Sequence, residues 1–207
     1  DYNFKKVFEK ISNKSNVYIE KCFVIALKIL KKNKYLKLIN GPISKKNFLQ
    51  GKYLGITEYL AKKTKTKNVV MLIYNEKLSV SPITTHLPLK EVHKNLSRTK
   101  VITHVKIIKN FYKKILRKKV NIAITGLNPH CESNYKSSEE DKIIKPAIQS
   151  LLKSKIKVSG PFAADTIFLS EYLKKYDVVI GMYHDQVLTP VKTLFGFNAF
   201  NITLGLP

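Results

Sequence analysis

Residues 177–186 read Asp177-Val-Val-Ile-Gly-Met-Tyr-His-Asp-Gln186, and the fold class is inferred from this segment and others like it. Its apolar, β-branched start predicts a short buried strand at 177–181, and His184 follows where we expect the strand to give way to a loop. In an α/β sheet, side chains converge on a ligand at the ends of strands. We therefore predict that His184 lies at a binding edge of such a sheet.

Two further histidines have the same setting. His86 follows a predicted strand at 78–85, in Ser-Pro-Ile-Thr-Thr-His-Leu-Pro, and His130 follows one at 120–125, in Ile-Ala-Ile-Thr-Gly-Leu-Asn-Pro-His. A histidine at a strand end is most often a hydrogen-bonded structural residue. Three in matching settings favour a divalent-metal site, because three neutral imidazoles leave coordination positions open for substrate.

The rest of the chain alternates between helix-like and strand-like patterns. Amphipathic spacing predicts four helices, and apolar runs predict three more strands, the second of which forms a hairpin with 78–85. This alternation predicts an α/β fold with a mixed, largely parallel sheet. We place one domain at 1–50 and a second, carrying the histidines, at 51–207. The predicted helices are 16–32, 57–63 (capped by Thr57), 99–118 and 139–154 (kinked at Pro146), and the additional strands are 35–39, 69–74 and 201–204.

The charge of the chain suggests anionic ligands. The formal net charge is +24, but Arg98 and Arg117 are its two arginines, and the lysines are scattered along the sequence. Proteins that read nucleic acids usually use the rigid arginine fork as well. We therefore expect the charge to steer small anionic substrates, and we keep a basic polyanion-binding protein as the alternative.

Cysteine usage and hydropathy indicate the compartment. Cys22 and Cys131 have neither metal-site spacing nor a disulfide pattern, which favours a reducing environment. No run approaches the roughly 20 apolar residues of a membrane span, and the start lacks the organisation of a signal peptide. We expect a cytoplasmic protein without a membrane partner, and we expect the sequence to be a fragment cut at both ends.

Several polar turn segments occur in a fixed order and together resemble one family. They include Gly55-Ile-Thr-Glu58, Thr84-Thr-His-Leu-Pro-Leu89, Gly126-Leu-Asn-Pro-His130, Gly160-Pro-Phe-Ala-Ala-Asp-Thr166 and Met182-Tyr-His-Asp-Gln186. From about residue 40 to 207 the chain resembles the 4-hydroxythreonine-4-phosphate dehydrogenase (PdxA) family. The resemblance implies a two-domain architecture related to isocitrate and isopropylmalate dehydrogenases, and a homodimer with a shared active site.

The resemblance also implies a reaction and its cofactors. The family oxidises 4-phosphooxy-L-threonine with NAD or NADP, and the product loses carbon dioxide to give 3-amino-2-oxopropyl phosphate for vitamin B6 biosynthesis. His86, His130 and His184 match the ligands of one divalent metal (zinc, magnesium or cobalt), the third of them supplied by the other subunit. Such an ion lowers the pKa of a substrate hydroxyl and stabilises negative charge on its oxygen.

Five other residues match positions of the family pattern. Thr57, Lys192 and Asn201 match substrate-binding residues, and we assign catalytic roles to Lys192 and Asp185. Asp165 and Asp185 match positions suited to orienting ligand histidines. From the residues alone, Thr57 is equally a helix cap, Lys192 a surface charge and Asn201 a backbone hydrogen-bonding partner.

The chain departs from the family pattern at three places. Ile56 replaces a histidine and cannot donate a hydrogen bond to phosphate, which leaves a four-carbon sugar-acid phosphate (threonate or erythronate 4-phosphate) as an alternative substrate. The loop 131–136 lacks the family's glycines. The segments that carry most dinucleotide contacts are absent, so we assign no cofactor-binding residues. His93 and His104 lie outside the shared segments, and we expect both on the surface.

Overall fold

The structure, a computed structural model, describes residues 2–3, 6, 10–33, 36–132 and 137–207. It forms two compact units, Asp1–Lys67 together with Pro207, and Asn68–Leu206. The domain boundary predicted between residues 50 and 51 concerns the whole family fold, and the division after Lys67 does not test it. That boundary stays a prediction.

The described part of the first unit is helical. Phe23 is buried and its ring stacks 5.9 Å from that of Phe48, while the Tyr59 ring lies 5.3 Å from Phe23. These contacts explain why short amphipathic segments fold here, since aromatic side chains bury large areas. The α-helices are α1 (Asn16–Lys32), α2 (Lys45–Leu49) and α3 (Ile56–Lys63).

Two predictions for the first unit need correction. Residues 36–39 are not a strand, and Tyr35, the first residue of that predicted strand, lies outside the described residues. Thr57 is not the N-cap of α3, because the helix begins one residue earlier and Gly55 occupies the cap position. Helix α1, in contrast, has the predicted bounds.

The second unit is built on a six-stranded sheet of order β4-β3-β5-β2-β1-β6. The first four strands of this order are parallel, and β1 is antiparallel to both β2 and β6. The α/β class, the mixed sheet and the β1–β2 hairpin are confirmed. The strands are β1 (Val70–Tyr74), β2 (Ser79–Thr84), β3 (Ile122–Thr125), β4 (Val158–Phe162), β5 (Val178–Tyr183) and β6 (Phe200–Leu204).

Helices cover both faces of this sheet. Val178 and Ile180 belong to the core cluster that includes buried residues of α4 and α5, whereas Val179 packs in a second cluster with buried residues of α7. This alternation follows from the two-residue period of a strand. The helices of the second unit are α4 (Arg98–Lys114), α5 (Lys145–Lys153), α6 (Ser170–Leu173) and α7 (His184–Phe195).

Two of these helices differ from the sequence prediction. The segment predicted as one kinked helix begins with a π-helical turn, Glu140–Ile144, that runs directly into α5. Pro146, which has no backbone N–H to donate, lies where the π-helical turn passes into α5. Helix α7 was not predicted, because the segment after His184 was expected to be a loop.

His104 is buried rather than exposed, which corrects the surface prediction. It lies on α4 with 5% of its surface exposed, and its Nε2 is 2.6 Å from the hydroxyl oxygen of Ser81. Burial, with a smaller contribution from the nearby Lys100 charge, lowers the pKa of His104 to about 3. His93 is exposed, as predicted.

We expect acid to destabilise the protein partly through His104. Its folded pKa lies below the usual value of 6.5, so the unfolded chain binds a proton that the native chain does not, between those two values. The free energy of unfolding therefore falls as pH falls through this window, by up to about 1.4 kcal/mol per pH unit. His104→Gln keeps a neutral hydrogen-bonding side chain and should reduce this slope in urea unfolding.

His93→Gln is the matched control, because it removes an exposed imidazole of the same unit. It should leave the pH dependence of the wild-type chain unchanged. Identical slopes for the wild-type chain and His104→Gln would contradict a depressed pKa at His104.

Candidate metal and substrate site

The carboxyl ends of β4, β3, β5 and β2 lie along one edge of the sheet, which we call the carboxyl edge. His86 follows β2, His130 follows β3 and His184 follows β5. The predicted strand-end placement is therefore confirmed for all three histidines. His184, however, is the first residue of α7 and not part of a loop.

Two of these histidines lie side by side. The ring centroids of His86 and His184 are 5.9 Å apart, because β2 and β5 are hydrogen-bonded neighbours with Thr84 opposite Tyr183. A zinc–nitrogen bond is about 2.1 Å long, so rings at this separation are close enough to bind one ion. Within a single chain, the two imidazoles fit a metal.

Asp185 holds the His184 ring. Nδ1 of His184 lies 2.8 Å from Oδ1 of Asp185, and this contact requires the proton on Nδ1. The Nε2 atom of the ring then carries the lone pair that can bind a metal ion. Histidines that bind metals usually donate the N–H of their other ring nitrogen to a carboxylate or carbonyl in this way. The orienting role of Asp185 stays a prediction.

His130 is not brought to the other two histidines in one chain. It lies in a short 3-10 turn, Pro129–Cys131, with a φ of 57°, and its side chain is exposed. Within 2–3, 6, 10–33, 36–132 and 137–207, no group of three or more His, Cys, Asp or Glu residues is placed to hold a metal. Residues 133–136, which complete the loop that lacks the family's glycines, lie outside the described residues.

The loop that leads to His130 is held by a buried carboxylate. Glu140 is fully buried, and its Oε1 accepts hydrogen bonds from the backbone N–H groups of Leu127 (2.7 Å) and Asn128 (2.9 Å). Its Oε2 accepts a third, at 2.8 Å, from the Asn128 side chain. Burial alone would raise the pKa of Glu140, but these hydrogen bonds outweigh burial and lower it, so the carboxylate is ionised.

Sequence reasoning missed this role of Glu140. The sequence pattern indicates only that residues 139–141 are acidic residues at a helix N-terminus, where their charge suits the helix dipole. Nothing in their spacing distinguishes Glu140 from Asp141, which is exposed and pairs with Lys145 at 2.7 Å. The π-helical turn, which the sequence pattern did not predict, is the element that carries Glu140 to the loop.

Gln186 connects the ends of β3 and β5. Its Oε1 accepts hydrogen bonds from the Thr125 hydroxyl (2.9 Å) and the Met182 N–H (2.7 Å), and its Nε2 donates to the Gly126 carbonyl at 2.8 Å. Gln186 lies only two residues after His184. A single buried side chain therefore ties the segment before His130 to the segment that carries His184.

Two predicted substrate residues lie away from the carboxyl edge of their own chain. Lys192 is eight residues beyond His184 on α7, about 12 Å along the helix axis. Asn201 is paired with Ile73 of β1, and Ile73 with Val80 of β2. The structure thus does not bring these two side chains to the histidines within one subunit.

The remaining predicted site residues are placed as follows. Asp165 is exposed and lies three residues after β4, on the carboxyl edge. Burial raises the pKa of the Cys131 thiol, and the charge of Asp165 makes a smaller contribution in the same direction. Thr57 is a partly exposed residue of α3 in the first unit. Neither position decides whether the residue has the predicted role.

A sequence profile described as "Pyridoxal phosphate biosynthetic protein PdxA" matches residues 2–207. The chain belongs to the PdxA family. This membership confirms the resemblance inferred from the turn segments. It also extends the match to residues 2–39, for which those segments had provided no specific signal.

Curated relatives in the PdxA family have two different names. The chain is 39% identical over 211 residues to the 4-hydroxythreonine-4-phosphate dehydrogenase of Sulfurihydrogenibium sp., covering 100% of this chain and 64% of that protein. It is 38% identical over 156 residues to the D-threonate 4-phosphate dehydrogenase of Pectobacterium atrosepticum, covering 75% and 48%. The chain thus spans about half to two thirds of the length of these relatives.

Solved structures agree on the PdxA fold. The structure matches that of a 4-hydroxythreonine-4-phosphate dehydrogenase from Klebsiella pneumoniae with a TM-score of 0.83 at 31% identity, covering 96% of this chain and 62% of that one. In the part of the chain that the structure describes, no helix is both long and apolar enough to cross a membrane.

We expect Gly181→Ala to destabilise the protein, because the added Cβ would lie 2.4 Å from Cγ1 of Val187 and 3.0 Å from Oε1 of Gln186. Overpacking of this kind costs about 1–3 kcal/mol, measurable as a lower urea midpoint. Gly41→Ala is the control, since nothing lies within 4 Å of a Cβ at that position. A midpoint for Gly181→Ala equal to that of the control would contradict this tight packing.

Proposed function

We propose that the protein is a metal-dependent, NAD- or NADP-linked dehydrogenase of 4-phosphooxy-L-threonine, acting in pyridoxal phosphate biosynthesis. The observation that carries the proposal is the pair of His86 and His184 at the carboxyl edge, 5.9 Å apart. Membership of the PdxA family and the names of its relatives support the same reaction. We also propose that the protein is cytoplasmic.

The ligands that we propose for the metal are His86, His130 and His184. Neutral imidazole favours a transition metal such as zinc or cobalt over magnesium, which prefers oxygen ligands. When bound, the ion supplies a positive charge that favours ionisation of the substrate hydroxyl. Asp185 keeps the His184 ring in the tautomer that presents Nε2.

The proposed reaction needs little further chemistry from the protein. The substrate carbon gives a hydride to the nicotinamide and its hydroxyl loses a proton. The resulting β-keto acid then releases carbon dioxide, and the carbon that carried the carboxylate takes up a proton. The protein must hold the phosphate and orient the two reactants. We propose that Thr57, Lys192 and Asn201 bind the substrate, and that the net charge of +24 raises the rate at which this anion arrives.

Placement within the sheet supports a site shared between two subunits. Asn201 lies in the same row as Val80, and Val80 pairs with Val179, five residues before His184. Val179 is four residues before the end of β5, so at about 3.3 Å per residue this row is about 13 Å from the carboxyl edge. This separation favours a site in which Asn201 and Lys192 of a second chain contact the substrate at the histidines.

The same geometry changes which subunit we expect to supply each histidine ligand. Family resemblance assigned His184 to the partner subunit, but the contact between His86 and His184 in one chain favours these two as a pair from the same subunit. We propose that His130, which stands apart from them, is the ligand that crosses the interface. This division keeps the homodimer and reverses the roles of His130 and His184.

A second candidate substrate is D-threonate 4-phosphate or another four-carbon sugar-acid phosphate. Relatives named D-threonate 4-phosphate dehydrogenase are 38% and 40% identical to this chain, close to the values for the relatives named for the first activity. Ile56, the first residue of α3, removes a hydrogen-bond donor that family members normally carry. The two substrates differ at the amine, which only 4-phosphooxy-L-threonine has.

Mixing of inactive variants tests the shared site. In a mixed dimer of His86→Ala and His130→Ala subunits, one of the two sites regains all three ligands if His86 and His184 come from one chain and His130 from the other. We expect NADH formation to recover to at most about one quarter of the wild-type rate, since half of a random mixture is heterodimer and half of its sites are intact.

The matched control is a mixture of His86→Ala and His184→Ala subunits. If the proposed division is right, every site in this mixture lacks at least one of its three histidine ligands. If activity recovers in this control alone, His86 and His184 of one site come from different chains, and His184 is the ligand supplied by the partner subunit. No recovery in either mixture, with exchange of subunits shown by differently tagged chains, would contradict a shared site.

A substrate comparison tests the reaction itself. Full-length protein with cobalt or zinc and NAD or NADP should form NADH or NADPH, read at its absorbance, with 4-phosphooxy-L-threonine, and chelation should abolish this activity. Turnover of D-threonate 4-phosphate alone would establish the second substrate. Salt-sensitive DNA binding without turnover of either compound would instead favour a basic polyanion-binding protein.

A further inference from the structure

The segment Gly126–Asn128, between β3 and His130, is held from two sides. Glu140 accepts the N–H groups of Leu127 and Asn128, and Gln186 donates to the carbonyl of Gly126. The N–H of Gly126 donates to the carbonyl of Phe162 at 2.9 Å, so the segment is also fixed to β4. Each of these backbone contacts is made by a buried group or by a neighbouring strand, and together they leave the segment little freedom.

The two glycines of this region make room for these side chains. A Cβ at Gly126 would lie 3.0 Å from Oε1 of Glu140 and 2.8 Å from Sγ of Cys131, and a Cβ at Gly181 would lie 3.0 Å from Oε1 of Gln186. Any larger residue would displace the acceptor oxygens. Glycine at both positions is therefore required by the close approach and not by the backbone angles.

We propose that Glu140 and Gln186 are positioning residues, which fix the segment before His130 and the start of α7 so that the histidine ligands keep their geometry for metal binding. The inference rests on the proposed metal site. Gln186 lies two residues after His184, and the Asn128 that Glu140 binds lies two residues before His130. Between them, these two side chains fix the backbone next to two of the three ligands.

The carboxylate of Glu140 is suited to this role because it only accepts hydrogen bonds. Three N–H donors converge on it, two from the backbone and one from the Asn128 side chain. A glutamine at this position has nearly the same shape but must point its own NH₂ group at one of these donors. One of these donors then faces an NH₂ group instead of an acceptor oxygen, which shifts the segment.

The test compares Glu140→Gln with Asp141→Asn, measured on the full chain. Both changes remove one carboxylate from neighbouring residues, but Asp141 is exposed and bonds Lys145, not the segment. We expect Glu140→Gln to weaken Co²⁺ binding, titrated as the metal alone by calorimetry, by about 10-fold. Its visible ligand-field spectrum with Co²⁺ should differ from wild type, whereas Asp141→Asn should match the wild-type affinity and spectrum.

A second measurement does not depend on the metal. Hydrogen exchange of the Leu127 and Asn128 amides, followed by NMR or mass spectrometry on metal-free protein, should be faster in Glu140→Gln than in the wild-type chain. Faster exchange with unchanged Co²⁺ affinity and spectrum would overturn the proposal, since Glu140 would then stabilise the segment without positioning a ligand. Unchanged exchange would overturn it as well.

Failure of the proposed function gives a different result. If the wild-type protein binds no Co²⁺, the proposed metal site is wrong. The exchange measurement would still report whether Glu140 holds the segment. If Glu140→Gln does not fold, Glu140→Asp replaces it, because this change keeps the charge and withdraws the acceptor oxygens by one methylene. Wild-type affinity in a folded Glu140→Asp would contradict the positioning role.

Discussion

The parallel alignment of β5 between β3 and β2 is the constraint on which the rest of the structure depends. Val178 pairs with Ile122 on one side, and Val179 pairs with Val80 on the other. Because all three strands run in the same direction, their carboxyl ends meet at one edge, and the segments that follow them converge there. His86 and His184 are neighbours for this reason, although they are far apart in the sequence.

Two buried polar side chains, Glu140 and Gln186, fix the backbone of the segments that follow these strands. A buried carboxylate or amide is costly unless its hydrogen-bonding groups are satisfied. Glu140 and Gln186 meet this condition by binding backbone groups between β3 and His130 and beside β5. The hydrogen bonds that make burial of these two side chains possible are therefore the same ones that hold the loop in place. A substitution that removes these hydrogen bonds changes both.

The same topology keeps two of the predicted substrate residues away from the histidines of their own chain. Helix α7 carries Lys192 away from the carboxyl edge, and Asn201 is held in a row about 13 Å from that edge. The proposed dimer thus follows from where the strands place these side chains, together with the family pattern.

The sequence by itself determined the α/β class, the histidines at strand ends and the PdxA family, because strand periodicity and motif order are local properties. It did not reveal β4, whose Gly160-Pro161 disfavours a strand in any local pattern. Only the tertiary structure decided that Glu140 and His104 are buried while Asp141 is exposed. Burial and hydrogen-bond partners depend on residues distant in the chain, and no local pattern records them.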